Sequence, residues 1–269
     1  DYKVCATHDD GFRATFIQTI TSFDAPRRAR ANGEAILSVA RRRLAQQQLP
    51  DFRGTAIHLI GTNTLWNPAH RPPVDANELV LRVDVWHERY SGPTGRPKTT
   101  PVVRPFSFLL PKIEVPVKVA VDGQAVAFDW QRLAAAPPMQ PAPVLKTVDA
   151  TAAQGDTVRV PLIRLAVARS GDKGDRANIG VLARRPDYLP YIRDALTAEV
   201  VRDWFAHTGT PRVDRFDLPG LDALNFVLHD ALGGGGAVSL RLDVQGKTYA
   251  QQLLHFPVTV PRALLGDAA

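Results

Sequence analysis

The stretch Arg169-Ser-Gly-Asp-Lys-Gly-Asp-Arg-Ala-Asn-Ile-Gly180 leaves one apolar run, Thr157 to Ala168, and enters another, Ala177 to Ala183. Short runs of Val, Ile, Leu and Ala bounded by Gly and Asp read as strands. Ser170 to Asp175 then reads as a tight loop between them. Working outward, Tyr191, Leu196, Val200, Val201 and Trp204 share one face of a helix expected over Tyr188 to His207. Arg212 to Phe216 reads as a strand and Pro219 to Leu232 as a short helix closed by Gly233 to Gly236. Ala237 to Leu242 and Thr248 to Leu254 are expected to form a hairpin around Gln245-Gly246.

Strand, strand, helix, strand, helix, strand, strand predicts a ferredoxin-like fold with an added hairpin over residues 157–269. Upstream, residues 133–156 are rich in Ala and Pro, which suits neither a helix nor a central strand, and read as a linker. Residues 1–132 form a first unit. Asp9-Asp10-Gly11 predicts a hairpin turn between strands Tyr2 to Thr7 and Phe12 to Ser22. Asp24 is placed as N-cap, with Pro26 in the first turn, of a helix reaching about Gln48 before Pro50. Thr55 to Ile60, Leu79 to Trp86, Val102 to Leu110 and Ile113 to Val121 are further strands, and Asp122-Gly123 is a second hairpin signal leading into Ala125 to Trp130. His87 to Lys98 is turn-like. The fold class is α+β, as two α+β domains joined by the linker.

Composition narrows the function. The chain has 269 residues, 45% of them hydrophobic and 22% charged, which suits folded globular structure. No run of 18 apolar residues is present, so neither a membrane span nor a membrane partner is expected. A single cysteine, Cys5, excludes an internal disulfide framework and a cysteine-built zinc site. The net charge is +6. Because 26 of the 33 basic residues are arginines scattered along the chain, this reads as diffuse charge or an anion-binding face. No motif interleaves aromatics with them, so nucleic acid is not an expected partner.

The 169–180 segment offers two readings. Gly171 and Gly174 allow positive φ, so consecutive N–H groups there could form an anion nest. Lys173 would add a point charge, and Ser170 and Asn178 hydrogen bonds. The same residues suit a hairpin loop chosen only for turn chemistry. Asp172 and Asp175 offer oxygen to a hard cation, although two carboxylates three apart are a thin basis, and no metal is expected. Asn225 and His229, at i and i+4, would share a helix face, where His229 could act as a general base. A helix-end histidine favoured by the dipole is the other reading. Cys5 could be a nucleophile, but a lone cysteine is more often a small hydrophobe.

Ala168-Arg-Ser-Gly-Asp-Lys-Gly-Asp175, Asn178-Ile-Gly-Val-Leu-Ala-Arg184, Leu218-Pro-Gly-Leu221, Ala223-Leu-Asn-Phe226 and Leu232-Gly-Gly-Gly-Gly236 resemble the C-terminal domain of the AtuA-like (acyclic terpene utilisation) family. Asp10-Gly-Phe-Arg-Ala-Thr15 and Phe106-Ser-Phe-Leu-Leu-Pro-Lys112 resemble the end of its core domain. The resemblance implies catabolism of acyclic terpenes or branched acyl-CoA compounds, with a hydratase or lyase step in the cytoplasm. It implies a CoA thioester or carboxylate as anionic substrate, with no cofactor. Ser170, Gly171, Lys173, Gly174 and Asn178 would hold the anion, and Asn225 and His229 would orient it or move a proton. Family members carry a long α/β region upstream of the segment that begins here at Asp1. The expectation is therefore a fragment that meets a separate α/β domain, self-associates as a homo-oligomer, or both. A non-catalytic oligomerisation module of a larger assembly is the competing function.

Overall fold

The computed structural model describes residues 1–89, 99–129, 132, 156–218 and 220–265. The 133–155 part of the expected linker and the 90–98 part of the turn-like segment lie outside the described residues. The N-terminal half is a four-stranded antiparallel sheet in the order β2-β3-β1-β4. Its strands are β1 (Tyr2–Thr21), β2 (Gly54–Ile60), β3 (Glu78–His87) and β4 (Thr100–Leu110). One helix, α1 (Ala25–Gln46), covers one face. Its buried stripe is Ala25, Ala29, Gly33, Leu37, Ala40 and Leu44. It packs over Ile20, Leu59, Leu79, Leu81 and Val83. Asp24 holds the N-cap position, but its carboxylate takes Ser22, Arg27 and Arg28 instead of a helix N–H.

The hairpin expected at Asp9-Asp10-Gly11 is not formed. β1 runs straight through it with a bulge between Asp9 and Phe12. Gly11 has φ +82°, and a Cβ there would lie 2.4 Å from the carbonyl oxygen of His87. The left-handed glycine that makes a turn also makes a bulge. β1 keeps going because it has two partners: β4 pairs with Tyr2–Asp9 and β3 with Phe12–Thr21. Beyond β4, the Asp122-Gly123 signal holds, joining β5 (Val119–Val121) to β6 (Gln124–Val126). The strand expected from Ile113 is shorter, with a single turn at Lys112–Glu114 before β5.

The C-terminal half carries β7 (Thr157–Pro161), β8 (Ala166–Lys173), β9 (Arg176–Ala183), α2 (Leu189–Ala195), α3 (Ala198–Trp204), β10 (Val213–Leu218), β11 (Ala223–Leu228), α4 (Tyr249–Leu253) and β12 (Pro257–Pro261). β8 to β11 form an antiparallel sheet in the order β10-β11-β9-β8, and β12 pairs with β7. The chain leaves β9, crosses through α2 and α3 to β10, and β11 fills the gap between those two strands. That split crossover is the ferredoxin-like feature.

Four expectations change here. The strand from Thr157 to Ala168 is broken by a turn at Leu162–Arg164 into β7 and β8. The helix over Tyr188 to His207 breaks at Leu196, where Thr197 caps α3 through Val200 N–H at 3.2 Å. The helix expected over Pro219 to Leu232 is instead β11, and the hairpin expected over 237–254 is a turn-rich segment ending in α4. In β11 the buried residues Leu224, Phe226 and Leu228 alternate. A short apolar run fits periods of both 2 and 3.6, and pairing with β9 and β10 decides between them.

The halves meet on the sheet face opposite α1. Arg13 donates to the carbonyl of Ser239 at 3.3 Å, and His58 Nε2 lies 2.8 Å from the carbonyl oxygen of Leu240. Asn67 donates to the carbonyl of Trp204 at 2.8 Å, and His70 stacks on Trp204 with centroids 3.7 Å apart. No helix among the described residues is long and apolar enough to cross a membrane.

Candidate functional site

The 169–180 segment is a two-stranded hairpin rather than a loop. Ser170, Gly171 and Lys173 lie in β8, and the turn is only Gly174-Asp175, between paired Lys173 and Arg176. Of the two glycines, only Gly174 has positive φ, at +70°. The expected anion nest is therefore not formed: Arg169–Lys173 pairs in extended form with Arg176–Gly180, so successive N–H groups point to opposite edges of the strand instead of converging. Ser170 is buried; its hydroxyl accepts Ala250 N–H at 2.9 Å and donates to the Lys247 carbonyl at 3.3 Å, seating α4 on β8. Lys173 is exposed, and its ammonium donates to the carbonyl of Asp172 at 3.1 Å.

Asn225 and His229 do not share a helix face. Asn225 lies in β11 and His229 in the turn just after it. Asn225 accepts a long hydrogen bond from Asn178 at 3.4 Å. Beside them, a Cβ on Gly171 would sit 3.4 Å from the ammonium of Lys247. The fold thus gathers Gly171, Asn178 and Asn225, and supplies Lys247 where the sequence suggested Lys173. His229 instead pairs with Asp214 at 2.7 Å, with Arg212 3.1 Å from the same carboxylate. The hydrogen bond from His229, and then Arg212, hold the Asp214 carboxyl below its usual range.

A cavity lies elsewhere, along edge strand β2, between α1 and the loop that follows β2. It encloses about 740 Å³. Its apolar wall includes Ile57, Leu59 and Trp66, and its charged groups are Arg27, Arg30, Glu34 and Arg71. Arg27 is paired with Asp24. Arg30 and Arg71 have no carboxylate partner among the described residues; Arg71 lies over the Trp66 ring, 4.3 Å from its centroid. His58 borders this cavity and two smaller ones, of about 310 and 340 Å³, at the junction of the halves. A carbonyl only accepts, so the contact with Leu240 puts the His58 proton on Nε2, and Nδ1 has no hydrogen-bond partner among the described residues. Behind it, Asp84 is fully buried, 2.7 Å from Arg82 and accepting from Thr15 at 2.6 Å.

Residues 160–259 match the family model of the AtuA ferredoxin-like domain. The match begins on β7 and ends on β12, so it spans the whole β10-β11-β9-β8 sheet. No curated protein and no solved structure matches the chain.

Within the matched residues, the unusual strings prove to be joints. Asp175 Oδ1 accepts the N–H groups of Leu232 at 3.2 Å and Gly234 at 2.7 Å, tying the β8–β9 turn to the glycine run. Gly233, Gly234 and Gly235 all have positive φ. Between β10 and β11, Leu221 N–H donates to the Leu218 carbonyl at 3.2 Å. Arg241 donates to the carbonyls of Ala231 at 2.6 Å and Thr208 at 2.7 Å, and Asp243 accepts three hydrogen bonds at the start of α4. The arginine-lined cavity is built from residues upstream of the matched segment. Arg27, Arg30 and Glu34 follow one another at helical spacing on the solvent side of α1, a signal present in the sequence. Arg71 and Trp66 lie in an aperiodic loop and carry none.

Proposed function

We propose that this chain binds an anionic acyl compound, an acyl-CoA or a carboxylate, in the cavity between α1, β2 and residues 62–73. The observation that carries the reading is the pair of guanidinium groups without carboxylate partners, Arg30 and Arg71, facing a cavity with an apolar wall. Guanidinium forks match carboxylate and phosphate oxygens bidentately, while Ile57, Leu59 and Trp66 suit an acyl chain. His58, which borders the cavity and has no hydrogen-bond partner on Nδ1 among the described residues, is the group proposed to move a proton in a hydratase or lyase step. The step belongs to cytoplasmic catabolism of branched or acyclic terpenoid acyl compounds, in line with the AtuA ferredoxin-like domain.

The test is calorimetric titration with a branched acyl-CoA, its free carboxylate and the neutral methyl ester. Binding of the anions but not the ester is expected, weakened about tenfold or more in Arg30→Ala and in Arg71→Ala. Equal affinity for ester and acid, or unchanged affinity in both variants, would refute the assignment.

A further inference from the structure

β1 outgrows its sheet. Its ladder with β3 starts at Phe12, so Tyr2–Asp9 pairs only with Val103–Leu110 of β4 among the described strands, as a two-stranded ribbon. Both faces of this ribbon are solvent-facing over most of their length. One face is apolar: Tyr2, Val4, Ala6, Phe106, Phe108 and Leu110 line it, with Phe106 58% exposed. An isolated two-stranded ribbon is marginal in water.

The two edges of the ribbon differ. On β4, Pro101 and Pro105 have no N–H, and proline is tolerated in a paired strand with its nitrogen on the unpaired side, so the outer edge lacks donors there. On β1, Tyr2–Asp9 contains no proline, and no described strand pairs with its other edge. Lys3 and Asp9 lie at the two ends of this open edge, on the same face, both exposed and neither in an ion pair among the described residues.

We propose that this edge is the two-fold interface with a second copy of the chain, β1 against β1 in antiparallel register centred on Ala6. In that register Lys3 faces Asp9 of the other copy, twice by symmetry, Cys5 faces Thr7, and Val4 faces His8. A shift by one residue at the centre brings Asp1 toward Asp9 and separates Lys3 from its counter-charge, so electrostatics selects the register. The interface is isologous, and the apolar faces of the two ribbons become one continuous four-stranded surface. The inference is independent of the ligand reading.

The experiment is sedimentation velocity on the full chain across micromolar concentrations. A dimer is expected. Lys3→Glu and Asp9→Lys should each raise its dissociation constant roughly tenfold, since two attractive pairs become repulsive, and Lys3→Glu combined with Asp9→Lys should restore it. Thr7→Cys should give a covalent dimer with Cys5 under mild oxidation. A monomer at all concentrations overturns the proposal. So does a dimer indifferent to the charge swap and not cross-linked by Thr7→Cys, which places the contact on another surface. Protection of the ribbon only on adding a separate α/β polypeptide also overturns it, by identifying a different occupant.

Discussion

The carboxylate of Asp175 holds the backbone N–H of Gly234 at 2.7 Å, across 59 residues of sequence. The same oxygen accepts Leu232 N–H, so one side chain locks the β8–β9 turn onto the glycine run. Asp175→Ala should destabilise the protein by about 2 kcal/mol, because hydrogen bonds to a charged group are lost and the N–H groups are left without that acceptor. Asp175→Asn, which keeps an acceptor oxygen, should lose less. Urea denaturation of the two variants separates this structural role from ligand binding, which should not change.

Glycines in these motifs carry unequal constraints. Gly235 has φ +90°, and a Cβ there would lie 2.9 Å from the Gly174 carbonyl oxygen, a backbone atom that cannot swing away. Gly174 has φ +70° but open space around it. Gly174→Ala should therefore cost about 1 kcal/mol from the left-handed conformation alone, and Gly235→Ala distinctly more, about 2–3 kcal/mol. Thermal unfolding of the pair checks the order; equal losses would refute the close approach.

Lys173 and Arg71 give the sharpest functional contrast. Lys173 is exposed and reaches only its neighbour's carbonyl, so Lys173→Ala should change stability by less than about 0.5 kcal/mol and leave anion affinity unaltered. Arg71→Ala should weaken anion binding, and wild-type affinity should fall as NaCl rises from 50 to about 500 mM, since exposed charge pairs are screened. Titration at several salt concentrations reads both effects.

Stability should fall on mild acidification. Desolvation pushes both His70, stacked on Trp204, and His207, beside the cavity at the junction of the halves, below the ordinary histidine range. Each folded-state value then lies under the unfolded value of about 6.5, so the unfolded chain binds more protons as pH drops. The stability contribution is complete above about pH 6.5 and is lost as pH falls toward the depressed folded value. Both rings keep solvent access, so the loss should be gradual. Melting temperature between pH 8 and 5 measures it, and His207→Gln should flatten the curve; a flat wild-type curve would exclude the effect.

The sequence by itself determined the local and periodic features. The extent of α1, the strand β3 and the Asp122-Gly123 turn all depend on neighbours within a few residues, and all stand close to where the sequence put them. The ferredoxin-like character of residues 160–259 was legible too, through strand spacing and a resemblance carried by short strings. What those strings do was not. Gly171, Lys173 and Gly174 read as an anion nest or as a plain hairpin turn, because a nest, a bulge and a tight turn all use the same small or charged residues. Only the partner decides: His87 makes Gly11 a bulge, β9 and β10 make Ala223–Leu228 a strand, and Gly234 makes Asp175 a brace. The cavity was beyond sequence reading for the same reason. Arg30 and Arg71 are 41 positions apart, the second on a loop without period, and only the packing of α1 and that loop against β2 turns them toward one space.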